Sequence, residues 1–195
     1  SGTYPARRIA AAATGLCEGE LRQQVSAGQW DMSKATYRSI LLQKTGGLCA
    51  VSCRLGAWGA AADNQTSRTL HQFGNWLGLA FQICDDWLDY WGNQQVGKTL
   101  GTDLLQLKPT LPLIRLLETS PAKKRQQLIE FLNQQQPDSL AQIRQELDAC
   151  DASAYTLRIA KRCIQNAKSR LATLPKSPAR ECLMAVAEHS GNRLA

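Results

Sequence analysis

Residues 67–92 read SRTLHQFGNWLGLAFQICDDWLDYWG, and the periodicity of this stretch decides the fold. Apolar residues return every three or four positions with no strict alternation, which predicts an amphipathic helix from about Ser67 to Trp91 that stops at Gly92-Asn93. Gln82, Asp85, Asp86 and Asp89 are spaced i, i+3, i+4 and i+7. At about 100° per residue they share one face of that helix, within an arc of roughly 100°. Leu70, Phe73, Leu77 and Phe81 lie in line with Asp85 and Asp89, so the carboxylates are expected to extend an inward-facing stripe and to converge.

Three carboxylates in the last turns of a helix face the negative end of its dipole, which costs each about 0.3–1 kcal/mol. Like-charge repulsion at i, i+4 adds to this. A compensating cation is therefore expected, and oxygen ligands without His or Cys suit Mg²⁺ rather than zinc. A solvated acidic face is the alternative on pattern alone.

Outward from this helix the same period recurs almost everywhere, so the fold class is all-α. A first helix is expected from about Arg7 to Val25, stopped near Ala27-Gly28. A second opens after Asp31 or Ser33 as its N-cap and runs unbroken to about Ala61. After the acidic helix comes a polar, glycine-containing loop, NQQVGKTLGTDLLQLK, at 93–108. Pro109 and Pro112 then fit the first turn of a helix through Leu117. Further helices are expected from Pro121 to Asn133, Ser139 to Cys150, Tyr155 to Leu174 and Pro178 to His189. Nothing along the chain suggests a repeat or a domain linker, and the 195 residues read as a single all-α domain.

On the second helix Tyr37, Ile40, Leu41, Leu48, Val51 and Leu55 trace one apolar stripe with Lys44 at its centre. An ammonium there either snorkels to solvent or points into a cavity that holds an anion. Thr45 adds a hydroxyl, and Gly46-Gly47 permit a close approach to the backbone. The loop contributes Lys98, Asp103 and Lys108 directly after the acidic face. It does not match the Walker pattern. A Mg²⁺ face, several lysines and apolar helical walls suit a phosphate head carrying a hydrocarbon tail.

Composition narrows the rest. At 44% hydrophobic and 20% charged residues the chain is a folded domain and not a disordered tail. No charge-free apolar run reaches the roughly 18 residues of a membrane span, and the start lacks a signal-peptide cleavage pattern, which favours a cytoplasmic protein. The seven cysteines are scattered without a C-x-x-C pair, so free thiols are expected in preference to zinc ligands. Of the net charge of +7, most lies beyond Ala152, where eight Lys or Arg face two Glu. That basic tail can touch nucleic acid or anionic lipid, or be a solvated face. It carries neither interleaved aromatics nor a recognisable nucleic-acid motif, so no nucleic-acid partner is expected.

CEGEL at 17–21, LLQKTGGL at 41–48, GNWLGLAFQICDDWLDYWG at 74–92, VGKTLGTD at 96–103 and LKPTLPLI at 107–114 stand in the order found in the trans-prenyl diphosphate synthases, and the chain resembles their C-terminal portion. The match is good over about residues 8–117. The CEGE form with Gln23 is more similar to the medium- and long-chain, octaprenyl-like branch. The resemblance implies a helical bundle of the isoprenoid synthase type. It also implies an enzyme that joins isopentenyl diphosphate head-to-tail to an allylic prenyl diphosphate. On the same ground Asp85, Asp86 and Asp89 would bind Mg²⁺, and Lys44, Lys98 and Lys108 would bind diphosphate. Thr45, Gln82 and the Lys44 carbonyl would face the allylic cation, and Phe81 would line the isopentenyl site. A homodimer, and proximity of the basic tail to a membrane surface, are further implications.

The sequence departs from the family in carrying no first aspartate-rich motif and no N-terminal basic motif. Asp31, Asp63 and Asp138 stand alone, and Asp148 and Asp151 come too late. The expectation is a C-terminal part of a larger synthase, missing N-terminal helices and inactive by itself. A non-catalytic small subunit of a heteromeric synthase is the alternative. Leu107 stands where glycine is usual, and Gly46 where alanine is usual.

Overall fold

The computed structural model describes residues 3–92, 100–134 and 139–192. Among them the regular structure is helical: α1 (Tyr4–Val25), α2 (Lys34–Leu41), α3 (Gly47–Gly59), α4 (Asn64–Trp91), α5 (Thr102–Leu105), α6 (Leu111–Thr119), α7 (Ala122–Asn133), α8 (Ser139–Ala149), α9 (Ala152–Ala172) and α10 (Pro178–Asn192). Lys98 lies outside the described residues, as does most of the loop expected to reach back over the acidic face.

The long α4 is the axis of the fold. It packs against α3 on one side and α9 on the other, with α6 and α10 completing its surroundings. The α3 contact is close because Gly74 presents no side chain there: a Cβ at Gly74 would stand 2.6 Å from the Ala50 Cα. Around α4, Phe73, Leu79, Ile83 and Leu111 form a core with Ala160, Ile164 and Leu171 of α9. A second core, of Tyr90, Leu113, Leu117, Leu132, Ile143 and Leu147, lies where α6, α7 and α8 meet the end of α4.

Local chemistry sets most boundaries. The Ser33 hydroxyl accepts from the Thr36 N–H at 3.0 Å and starts α2, which decides between the two N-caps the sequence offered. Ser33→Ala removes that acceptor and is expected to cost about 1 kcal/mol, read as a lower midpoint in chemical denaturation followed by circular dichroism. Asp63 caps α4 in the same way through the Thr66 N–H at 2.6 Å, so α4 begins at Asn64, a turn before Ser67. α1 and α9 likewise start three residues earlier than the periodicity indicates, and the loop after α4 contains the short α5.

The expected unbroken helix from 33 to 61 is interrupted by a π turn over Leu42–Gly46, with the Gly47 N–H bonded to the Leu42 carbonyl. The wider turn accommodates an extra residue and advances the helical phase. The buried line therefore runs from Tyr37 and Leu41 through Gly46, Ala50 and Ala57, while Leu48, assigned to the stripe by the unbroken period, is exposed and Val51 and Leu55 are only half-buried. Leu107 has φ 53°, in the left-handed region that favours glycine, which is a conformational reason for glycine being usual there. Among the described residues no helix is long and apolar enough to cross a membrane.

Candidate functional site

The last turns of α4 bring Gln82, Asp86 and Asp89 against groups from α2, the π turn and α5. Asp86 is 1% exposed. Its Oδ2 accepts from the Tyr37 hydroxyl at 2.6 Å and its Oδ1 from the Gln82 amide at 3.0 Å. The Gln82 carbonyl oxygen in turn accepts from the Thr45 hydroxyl at 2.9 Å. Thr45, Gln82, Asp86 and Tyr37 thus form one connected network whose donors converge on the Asp86 carboxylate from two sides.

Burial pushes the Asp86 carboxyl up to about 7, and the charge of Asp103 and then Asp85 adds to this, against the lowering effect of the Tyr37 and Gln82 donors. Asp89 accepts from the backbone N–H groups of Thr102 at 3.1 Å and Asp103 at 3.0 Å. Even so, burial and the Asp103 charge push its carboxyl up to about 6, with Lys108 pulling the other way. Lys108 bonds Asp103 at 3.0 Å, so one lysine already leans towards the acidic group. Burial makes ionisation of both carboxyls costly, and a cation bound beside them would lower that cost.

The three aspartates share a face without converging on one point. Among the described residues no three His, Cys, Asp or Glu side chains are grouped so as to hold a metal ion by themselves. The physical reason is that Asp86 is turned inward onto Tyr37 and Gln82, whereas Asp89 is engaged by the α5 backbone. The buried face of α4 runs through Phe73, Leu79, Ile83, Asp86 and Tyr90. Asp86 is therefore the deep member and Asp85 is half-buried. Phe81, placed by the periodicity on the inward stripe, is 42% exposed. The donor set is still all oxygen, which fits a hard cation. Mg²⁺ ordinarily takes one or two protein carboxylates, with water and substrate phosphates completing its shell, so a three-carboxylate cage is not required.

Lys44 resolves the two alternatives its position left open. Its ammonium donates to the Gln23 carbonyl oxygen at 2.9 Å and pairs with Glu20 at 3.1 Å, and its side chain is 19% exposed. It neither snorkels nor stands without a partner, because α1 supplies both oxygens. Gly19 makes this possible, since a Cβ there would stand 2.7 Å from the Lys44 backbone nitrogen. The CEGEL stretch is thus the platform for Lys44.

Sequence reasoning missed Tyr37 as a donor to Asp86, because a tyrosine on an apolar stripe reads as core. It placed Asp103 in the loop beside the acidic face without giving it a partner, and gave no site role to Glu20 or Gln23. The tandem Gly46-Gly47 was the one local hint of an irregular turn beside Lys44 and Thr45.

The profile of the family described as Polyprenyl synthetase matches residues 6–150. The heptaprenyl diphosphate synthase component 2 of Bacillus subtilis is 34% identical over 179 residues, 91% of this chain and 51% of that protein. The octaprenyl diphosphate synthase of Haemophilus influenzae is 32% identical over 183 residues, 91% of this chain and 55% of that protein. The chain spans about half the length of the curated relatives it matches. A crystal structure of polyprenyl synthase from Caulobacter crescentus, complexed with calcium and isoprenyl diphosphate, superposes with a TM-score of 0.93 at 30% identity, covering 100% of this chain and 60% of that one. With the profile matched across most of its length and the same helical arrangement in a solved relative, the chain belongs to the polyprenyl synthetase family.

Proposed function

We propose that these 195 residues carry the allylic-diphosphate half of a polyprenyl diphosphate synthase, which condenses isopentenyl diphosphate head-to-tail with an allylic prenyl diphosphate. The observation that supports this most is the buried Asp86, fixed by Tyr37 and Gln82 and raised to about 7 first by burial and then by the charges of Asp103 and Asp85, so that a divalent cation would offset the cost of ionising it there. Asp85, Asp86 and Asp89 would hold Mg²⁺, which when bound supplies positive charge to the diphosphate oxygens.

The remaining work falls to this chain's own side chains. Lys44, Lys98 and Lys108 offer ammonium donors that bind the diphosphate and offset its charge as it leaves. The Thr45 hydroxyl and the Gln82 carbonyl oxygen, already aligned with each other, present oxygen dipoles that favour a developing allylic cation. Phe81, exposed beside Gln82 on α4, would line the isopentenyl site. The departing diphosphate accepts the final proton, so no histidine base is required.

The 195 residues contain one aspartate-rich cluster where the condensation is expected to need two. Incubated alone with Mg²⁺, farnesyl diphosphate and isopentenyl diphosphate, this chain is expected to give no elongated product by chromatography. In calorimetry it should bind inorganic pyrophosphate only when Mg²⁺ is present, and Lys44→Ala should weaken that binding about tenfold, as for loss of one charge-assisted contact. Pyrophosphate binding indifferent to Mg²⁺ and to Lys44 would sink the assignment, and elongated product would sink the division into halves.

A further inference from the structure

Beside Tyr37, a cavity of about 270 Å³ opens between α2, α4 and α9, with Trp76, Leu79, Ile83 and Ile159 among its walls. The buried Tyr37 and Cys163 also line it, whereas none of Lys44, Asp85, Asp86 and Asp89 does. Two exposed arginines, Arg38 and Arg162, stand at its mouth. The Arg38 guanidinium lies 5.2 Å from the centre of the Trp76 ring. Arg38, Arg162 and Cys163 line the same cavity, and both guanidiniums act electrostatically on the Cys163 thiol, lowering a pKa that burial raises to about 11.

The nearby acids are committed elsewhere. Glu118 pairs with Lys34, the third cation of the lining, and Asp151 accepts both arms of Arg115. The cavity therefore combines an apolar interior with positive charge at its opening. A guanidinium fork matches the oxygens of a phosphate, and an apolar wall matches a hydrocarbon. At about 30 Å³ for each water-sized group, the space accommodates roughly nine such groups, enough for a short branched tail.

We propose that this cavity is a second binding site, for a phosphate ester with a short branched hydrocarbon tail, its phosphate held by Arg38 and Arg162 and its tail against Trp76 and Ile159. The site does not depend on the reading of the aspartate face. It shares Tyr37 with that face: the ring borders the cavity and the hydroxyl holds Asp86.

Geranyl monophosphate, titrated by calorimetry into this chain in EDTA, tests the proposal without a divalent cation at the aspartates. Saturable binding is expected, with a change in tryptophan emission that disappears in Trp76→Phe. Arg38→Glu combined with Arg162→Glu, both at exposed positions, should weaken it about tenfold or more, as charge-assisted hydrogen bonds are lost. Geraniol and inorganic phosphate, each lacking one half of the ligand, should bind at least about tenfold more weakly than the ester. Lys44→Ala should leave the affinity within about twofold, since it lies outside the cavity. Absence of saturable binding, or affinity that survives the double charge reversal, overturns the proposal. Affinity that falls with Lys44→Ala also overturns it, by placing the ligand at the aspartate group. Failure of the functional assignment appears separately, as Mg²⁺-independent behaviour of pyrophosphate.

Discussion

Gly74→Ala is expected to destabilise the chain by about 3 kcal/mol or more, although alanine is the better helix former. A Cβ at Gly74 would stand 2.5 Å from the Cys49 carbonyl oxygen, 2.6 Å from the Ala50 Cα and 2.7 Å from the Ala50 nitrogen. All three are backbone atoms of α3, so no rotamer change relieves the contact and α3 must move away from α4. The gain in helix propensity is only about 1 kcal/mol, and separating these two helices loosens the π turn that carries Lys44 and Thr45. Gly46→Ala is the informative control. Its Cβ would meet the Leu42 Cδ2 at 3.0 Å, the far end of a flexible side chain, and the Asn75 carbonyl oxygen at an ordinary 3.4 Å. It should change stability by less than about 1 kcal/mol. Urea denaturation followed by circular dichroism measures both, and a Gly74→Ala midpoint equal to that of Gly46→Ala would refute the argument.

The contrast between these two glycines illustrates what a sequence makes legible. The helical class, the course of α4, and the placement of Asp86 and Asp89 near its end follow from a 3.6-residue period that every helix obeys. Gly74 looks no different from Gly46 in the sequence, because a close approach is a property of two helices together. The same holds for Tyr37. Its burial is read correctly from the stripe, but its hydroxyl finds Asp86 only once α2 is laid across α4. The π turn defeats the periodic argument itself, since the period after Lys44 is counted from a phase the turn has changed. Leu48 is consequently exposed where it was expected to be core. Convergence of the three aspartates fails for a related reason: sharing a face fixes direction at the backbone, whereas neighbouring donors decide where each carboxylate turns. The resemblance to the prenyl synthases survives these errors because it rests on the order of motifs and not on phase.

Asp86→Asn is expected to stabilise the chain in the absence of divalent ions, and to do so more at higher pH. In the folded chain Asp86 keeps its proton until about pH 7, whereas an aspartate in the unfolded chain loses it near pH 4. Between those values the folded state binds more protons than the unfolded one, so this group makes stability fall as pH rises, until both states have ionised above about pH 7. Asp89, raised to about 6, acts in the same direction. Asparagine escapes the penalty because it cannot ionise, and it can still be satisfied: its carbonyl accepts from Gln82 while its NH₂ donates to the Tyr37 hydroxyl oxygen, which serves either role. The advantage of the variant over the parent should grow by on the order of 2 kcal/mol from pH 5 to pH 8. Mg²⁺ with pyrophosphate should reverse the order at pH 8. Bound ligand raises the midpoint of a chain that keeps its carboxylate and leaves that of the variant unchanged. Thermal melts at both pH values, with and without the pair of ligands, separate the possibilities. An advantage that does not change with pH means that Asp86 is not the group raised by burial. A variant stabilised by Mg²⁺ and pyrophosphate as much as the parent means that the ion is held elsewhere, and the positions of Asp85 and Asp89 would then have to carry it without the carboxylate that Tyr37 and Gln82 fix in place.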